Sequence, residues 1–140
     1  MVTTAGTVII VDDIDEMRDI VRRVLRASCP TLSIVTAANG HQALAMLESL
    51  WSLGEEGGPV LVITDVRMPG MDGLMLATSI RSSPFPTGTI LMSGFMNEQL
   101  RARAFELGAL ACFEKPFDLN DLARVVLDQF QEERPLAKAV

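Results

Sequence analysis

Four apolar runs in this chain each lead into residues that can do chemistry. Asp12 and Asp13 follow Val8–Val11, Asp65 follows the run that begins at Val60 to Ile63, Ser93 follows Ile90–Met92, and Lys115 follows the stretch from Leu110 to Phe113. Short apolar runs that alternate with helical patterns read as parallel strands, and sheets of that kind collect ligands at the carboxyl ends of their strands. Three carboxylates, a hydroxyl and an ammonium are thereby candidates for one site. That set suits a metal ion together with a phosphoryl group. Asp65 is ionised at neutral pH and is a competent nucleophile toward phosphorus once the donor's negative charge is neutralised. Such a transfer asks the protein mainly for positioning and charge stabilisation.

The segments between these runs carry the period of helices. Met17, Ile20, Val21, Val24 and Leu25 recur on one helical face, with Glu16, Arg18, Asp19, Arg22 and Arg23 on the other. After a turn near Cys29–Pro30, residues 32–37 read as a strand, Asn39–Gly40 as a turn, and Ala43, Leu44, Leu47, Leu50 and Trp51 as a second amphipathic helix that the glycine-rich stretch up to Pro59 ends. A third strand spans about 60–64. It is followed by a loop containing Asp65 and a helix with Leu74, Ala77 and Ile80, broken by the Ser/Pro-rich stretch 82–88. The fourth unit is a strand over 89–92 and a helix capped by Asn97 and stopped at Gly108. The fifth is a strand over 110–114 and a helix capped by Asp118, with Leu119, Leu122, Val126 and Phe130 on its buried stripe. Five strands alternating with five helices, joined by right-handed crossovers, predict an α/β fold with a doubly wound parallel sheet.

The bulk composition agrees with a single unit. With 140 residues, 49% of them apolar, the chain has enough core for one domain. Eighteen acidic against twelve basic residues give a net charge of -6 with no Lys/Arg cluster, which disfavours direct binding of nucleic acid. No apolar stretch is long enough to span a bilayer and the first residues carry no basic signal region, so a cytoplasmic protein without membrane insertion is expected. Cys29 and Cys112 lack metal-ligand spacing and are expected to be reduced and buried. The domain is expected over residues 7–130, with a flexible N-terminus at 1–6 and a frayed tail at 131–140.

Val11-Asp12-Asp13, Asp65 with Met68-Pro69-Gly70-Met71-Asp72-Gly73, Ser93-Gly94 and Lys115-Pro116-Phe117 together resemble the receiver domain of bacterial two-component response regulators, of the single-domain, chemotaxis-regulator-like kind. Each motif is weak alone; all four in order at strand ends are specific, and the resemblance covers about 7–130. It implies a flavodoxin-like (βα)5 fold with strand order 2-1-3-4-5. It also implies Mg2+-dependent transfer of a phosphoryl group to Asp65 from a sensor histidine kinase or a histidine phosphotransfer protein. In that assignment Asp13 and Asp65 ligate Mg2+ directly, Asp12 acts through water and the backbone carbonyl of Arg67 completes the protein set. Lys115 pairs with Asp65 at rest and with a phosphoryl oxygen afterwards, while Ser93 donates to another. The acyl phosphate then switches a surface of helix four, strand five and helix five for an unidentified protein partner. The protein would be a signalling phosphoacceptor, not an enzyme, and a monomer or weak dimer.

Plainer readings accompany each assignment. Asp12, Asp13 and Asp15 could serve only the first turn of a helix. Met68 to Gly70 and Asp72-Gly73 read as turns that shape the Asp65 loop. Ser93 could cap the turn before helix four, Lys115 could be an ordinary surface lysine, and His41 is expected on the surface without a role. Two other functions compete. One is a dehalogenase-like, Mg2+-dependent phosphohydrolase with Asp13 as nucleophile and Asp15 as its pair, for which the chain is short of a capping domain. The other is a pseudo-receiver that binds partners without being phosphorylated. The sequence also departs from the family it resembles: Cys112 stands where an aromatic usually precedes the strand-five lysine by three residues. Phe113 is one position off, on the opposite face of a regular strand.

Overall fold

The computed structural model describes residues 6–132, so the expected flexible start and frayed tail lie almost wholly outside the described residues. Its elements run β1 (Thr7–Val11), α1 (Asp15–Ser28), β2 (Ser33–Ala37), α2 (Gly40–Trp51), a short 3-10 turn (Gly54–Gly57), β3 (Val60–Asp65), α3 (Gly73–Arg81), β4 (Gly88–Ser93), α4 (Glu98–Glu106), β5 (Ala111–Glu114) and α5 (Leu119–Glu132). The five strands are parallel and lie in the order β2-β1-β3-β4-β5, the flavodoxin-like arrangement that the motifs implied.

The pleat sorts the core into two layers. Val8, Ile10, Ile34, Leu61, Ile63, Ile90 and Met92 pack with Val21 and Leu25 of α1 and Leu122, Ala123 and Val126 of α5. The alternate residues Ile9, Val11, Ala37, Val60 and Val62 pack against Ala43 and Leu47 of α2 and Leu76 and Ile80 of α3, and Leu91 packs with Ala104 of α4. Period-two alternation with both faces covered makes β1, β3 and β4 read as unbroken apolar runs. All residues of β1 and β3 are buried. β5, at the sheet edge, is only partly buried, and Leu110 precedes it as an exposed residue instead of opening it.

Local chemistry sets the boundaries. Asn39 is the N-cap of α2, its Oδ1 accepting from the Gln42 N–H at 2.8 Å, and Asp72 caps α3 by accepting from the Met75 N–H at 2.8 Å. Both residues read as turns in the sequence; each is instead a helix start followed by a glycine inside the helix. Asn97 caps α4 in the same way, and Gly108 leaves that helix at φ +93°, as expected of a stop. Asp118 precedes α5 and accepts from the Asn120 N–H at 2.9 Å. Both cysteines are free, Cys29 buried and Cys112 half-buried, and burial pushes both thiols up, so they stay protonated near neutrality. Among the described residues no helix is long and apolar enough to cross a membrane.

Candidate functional site

Asp12 follows β1 and Asp65 ends β3, and these strands are adjacent in the sheet. Asp12, Asp13 and Asp65 each offer a carboxylate oxygen within 4.8 Å of the others. Asp12 is 0% and Asp65 7% exposed, whereas Asp13 is exposed. Like charges this close in a buried setting repel, and an ammonium offsets them: Lys115 Nζ lies 3.0 Å from Asp12 Oδ2 and 3.5 Å from Asp65 Oδ2. The lysine, expected to pair with Asp65, thus bridges both carboxylates and sits nearer Asp12. Its side chain is 18% exposed, so it is held in the site and is not an ordinary surface lysine. Its backbone N–H donates to the Ser93 carbonyl at 2.8 Å, which fixes the end of β5 against β4, and the Lys115–Pro116 peptide is cis.

Burial is the main reason the Asp65 carboxyl lies above its ordinary range, with the Lys115 charge pulling it down and Asp12 pushing it up. The remaining oxygen of Asp12 is used locally, accepting from the Ile14 N–H at 3.0 Å. Asp15 takes no part in the cluster: it opens α1, is exposed and pairs with Arg18. The Asp13–Asp15 pair on which the hydrolase reading rests is therefore not assembled.

Ser93 ends β4 next to Asp65, one residue past the latter's register partner Met92, and is fully buried. Its hydroxyl is engaged by its own loop: Oγ donates to the Phe95 carbonyl at 2.9 Å and accepts from the Phe95 N–H at 3.1 Å. The plainer reading of Ser93, as the residue that closes this turn, is what the structure displays at rest. The loop is also tied to β5 through the Met96 N–H and Glu114 Oε2 at 3.4 Å. Arg67, two residues after Asp65, is exposed, and its guanidinium carbon lies 5.8 Å from the ring centre of Phe95.

The loop after β3 is shaped by glycines. Gly70 has φ +77°, a conformation side chains rarely adopt, and a Cβ on Gly73 would lie 2.3 Å from the Asp65 carbonyl oxygen. The Gly73 N–H donates to the Val66 carbonyl at 2.8 Å, so α3 begins directly beneath the backbone that carries Asp65. Cys112 and Phe113 face opposite ways, as a regular strand demands. Cys112 pairs in register with Leu91 and packs with the α4 layer, while Phe113 pairs with Met92, joins the α1/α5 layer and meets the Phe117 ring at 4.9 Å. His41 is exposed at the start of α2.

Sequence reasoning assembled the carboxylates, Ser93 and Lys115 but missed Arg18. Its guanidinium donates to the Asp12 carbonyl at 2.6 Å and pairs with Asp15. The signal was present, a basic residue one turn into α1, but it was masked by the run of charges on the helix's polar face.

The family model described as the response regulator receiver domain matches residues 8–127. The transcriptional regulatory protein FixJ of Bradyrhizobium diazoefficiens is 29% identical over 137 residues, covering 98% of this chain and 62% of its own length. The DNA-binding transcriptional regulator NtrC of Salmonella typhimurium is 30% identical over 132 residues, covering 92% of this chain and 26% of its own. The chain thus spans less than two thirds of either relative. Among solved structures, the signal receiver domain of a DNA-binding response regulator (merR) from Colwellia psychrerythraea matches with a TM-score of 0.77 at 27% identity, covering 91% of this chain and 99% of its own.

Proposed function

The chain belongs to the response regulator receiver domain family, and from that premise we propose that it takes a phosphoryl group onto Asp65, in the presence of Mg2+, from the phosphohistidine of a sensor kinase or phosphotransfer protein. The observation that carries the proposal is the three-carboxylate cluster within 4.8 Å, with the Lys115 ammonium lodged between Asp12 and Asp65. A structural ion pair needs one carboxylate per lysine. Here three carboxylates share one ammonium, and a further cation bound among them would offset the remaining negative charge.

The donor set fits Mg2+, a hard ion that uses one or two protein carboxylates and keeps several waters. Asp13 and Asp65 would hold it directly, Asp12 through water, and the Arg67 carbonyl would complete the protein share. Bound there, Mg2+ supplies charge neutralisation to the incoming phosphoryl group. Asp65 forms the new P–O bond as the P–N bond breaks, the electron pair leaving with the donor imidazole. Lys115 is placed to follow the negative charge from the carboxylate to a phosphoryl oxygen. Ser93 meets another phosphoryl oxygen only by giving up its bond to the Phe95 carbonyl, which frees the turn before α4. The surface of α4, β5 and α5 is then offered to a downstream protein in a changed form.

In calorimetric titration of the metal-free chain, Asp13→Ala is expected to weaken Mg2+ at least tenfold, because one of two direct carboxylates is gone. Ser93→Ala should bind Mg2+ like the wild type yet fail to couple phosphorylation to the α4 surface. Unchanged affinity in Asp13→Ala would sink the metal assignment.

The strand-five departure gives a separate expectation. With Cys112 on the α4 side and Phe113 committed to the α1/α5 layer beside Phe117, activation rearranges the output surface without an aromatic rotamer switch on β5. A phosphoryl-analogue-bound structure checks this. Phe113 swung across to the space beside Ser93 would contradict it.

A further inference from the structure

We propose that Arg18 is a positioning residue that sets the affinity of the site for Mg2+, an inference that rests on the assignment of Asp13 and Asp65 as metal ligands. Asp13 sits in the short connection between Val11 and Asp15. It makes no hydrogen bond or ion pair with the described residues, so nothing but the backbone aims its carboxylate at Asp65. That backbone is gripped at few points. The Asp12 N–H donates to the Ala37 carbonyl at 3.2 Å, the Ile14 N–H to Asp12 Oδ1 at 3.0 Å, and the Arg18 N–H to the Ile14 carbonyl at 3.1 Å.

The strongest grip comes from the Arg18 side chain. Nη1 donates to the Asp12 carbonyl, the peptide that leads into Asp13, at 2.6 Å, while Nη2 pairs with the Asp15 carboxylate on the far side of the turn. One planar fork thus spans the residues before and after Asp13. A charged donor makes such bonds shorter and stronger than neutral ones. The side chain is only 17% exposed, so the fork is held in place. Asp15 itself is 86% exposed, which leaves its ion pair well screened and makes the carbonyl bond the part that matters for the turn.

Charge and position act in opposite directions here, which makes them separable. A fixed positive charge near a divalent cation's site opposes its binding. If charge were all that Arg18 contributed, its removal would tighten Mg2+. If position dominates, removal loosens Mg2+, and lysine, which keeps the charge but not the planar fork, loosens it as well.

The test is Mg2+ titration calorimetry on the full chain, metal-free at the start, for the wild type, Arg18→Lys, Arg18→Gln, Asp15→Asn and Asp13→Asn, with melting temperatures taken without metal. Both Arg18 variants are expected to weaken Mg2+ by about tenfold, the scale on which residues that orient metal ligands act. Asp15→Asn, which spares the bond to the Asp12 carbonyl, should weaken it far less. Tighter binding in Arg18→Gln with wild-type affinity in Arg18→Lys overturns the proposal in favour of charge. A lower melting temperature in both Arg18 variants with unchanged Mg2+ affinity overturns it in favour of a merely structural role. Should Asp13→Asn bind Mg2+ as the wild type does, the ligand assignment falls and the role of Arg18 with it. Loss of binding in Asp13→Asn alone overturns only the role of Arg18.

Discussion

Asp65→Asn is expected to gain no phosphoryl mass from a small acyl-phosphate or phosphoramidate donor in Mg2+, whereas the wild type should gain one phosphoryl group per chain. The carboxamide is isosteric but has no anionic oxygen to attack phosphorus. The neighbouring Asp12 is no substitute, since its two carboxylate oxygens are taken up by Lys115 and by the Ile14 N–H. Intact-mass measurement decides the matter. One modification on Asp65→Asn would overturn the nucleophile assignment, and one on the wild type in excess chelator would overturn the Mg2+ requirement. The same variant should also melt higher than the wild type at neutral pH without metal. Because the folded protein holds the Asp65 proton more tightly than the unfolded chain, stability falls as pH rises from the ordinary carboxylate value through the raised one, and the deficit persists above it. Asn carries no such deficit. The advantage of the variant should fade as the pH is lowered below the ordinary aspartate range.

Lys115→Met is expected to change stability in the opposite direction. It strips the ammonium from between a fully buried Asp12 and a nearly buried Asp65, leaving two carboxylates face to face without an offsetting charge. Breaking a buried pair by removing one partner costs about 3 kcal/mol, and denaturant unfolding at neutral pH measures it. The penalty should shrink in acid, where protonation of Asp65 removes the repulsion. In Asp65→Asn/Lys115→Met it should be well below that of Lys115→Met alone, since residues that share one ionic cluster are not additive. A loss of equal size in both backgrounds and at both pH values would mean that the lysine contributes packing, not charge. Phosphorylation of Lys115→Met should be slow even with Mg2+ present, because the charge meant for the phosphoryl oxygen is missing.

What the sequence made legible was whatever lies along the chain with a period. Apolar runs alternating with amphipathic segments located β1, β3 and β4, and the residues at their ends were brought together because parallel strands start at one edge and finish at the other. Distances across the sheet were not legible. Asp12 and Lys115 are 103 positions apart, and nothing in their spacing says that the ammonium lies closer to Asp12 than to Asp65. Caps and turns share the same residues, so Asn39 and Asp72 read as turns although both start helices. Leu110 read as part of β5 from its apolar character alone, but an edge strand needs fewer buried residues than a central one. Arg18 was hidden because a charge on a helix's polar face is by default solvated; its bond to a backbone carbonyl leaves no mark in the sequence.

The Ser93 hydroxyl is engaged by Phe95, so on the proposed function the loop and a phosphoryl group on Asp65 would be rivals for one small group of atoms. Rivalry of this kind is reciprocal: if modification of Asp65 loosens the Phe95 turn, any protein that grips that turn in its closed form must disfavour the modified state by the same free energy. A partner binding near Phe95, which is 58% exposed beside Arg67, therefore need not touch Asp65 to alter how much of the chain carries a phosphoryl group at equilibrium with its donor. Under the proposed function, the output side would then also be an input, and the abundance of a downstream partner would be one of the variables that set the level of phosphorylation.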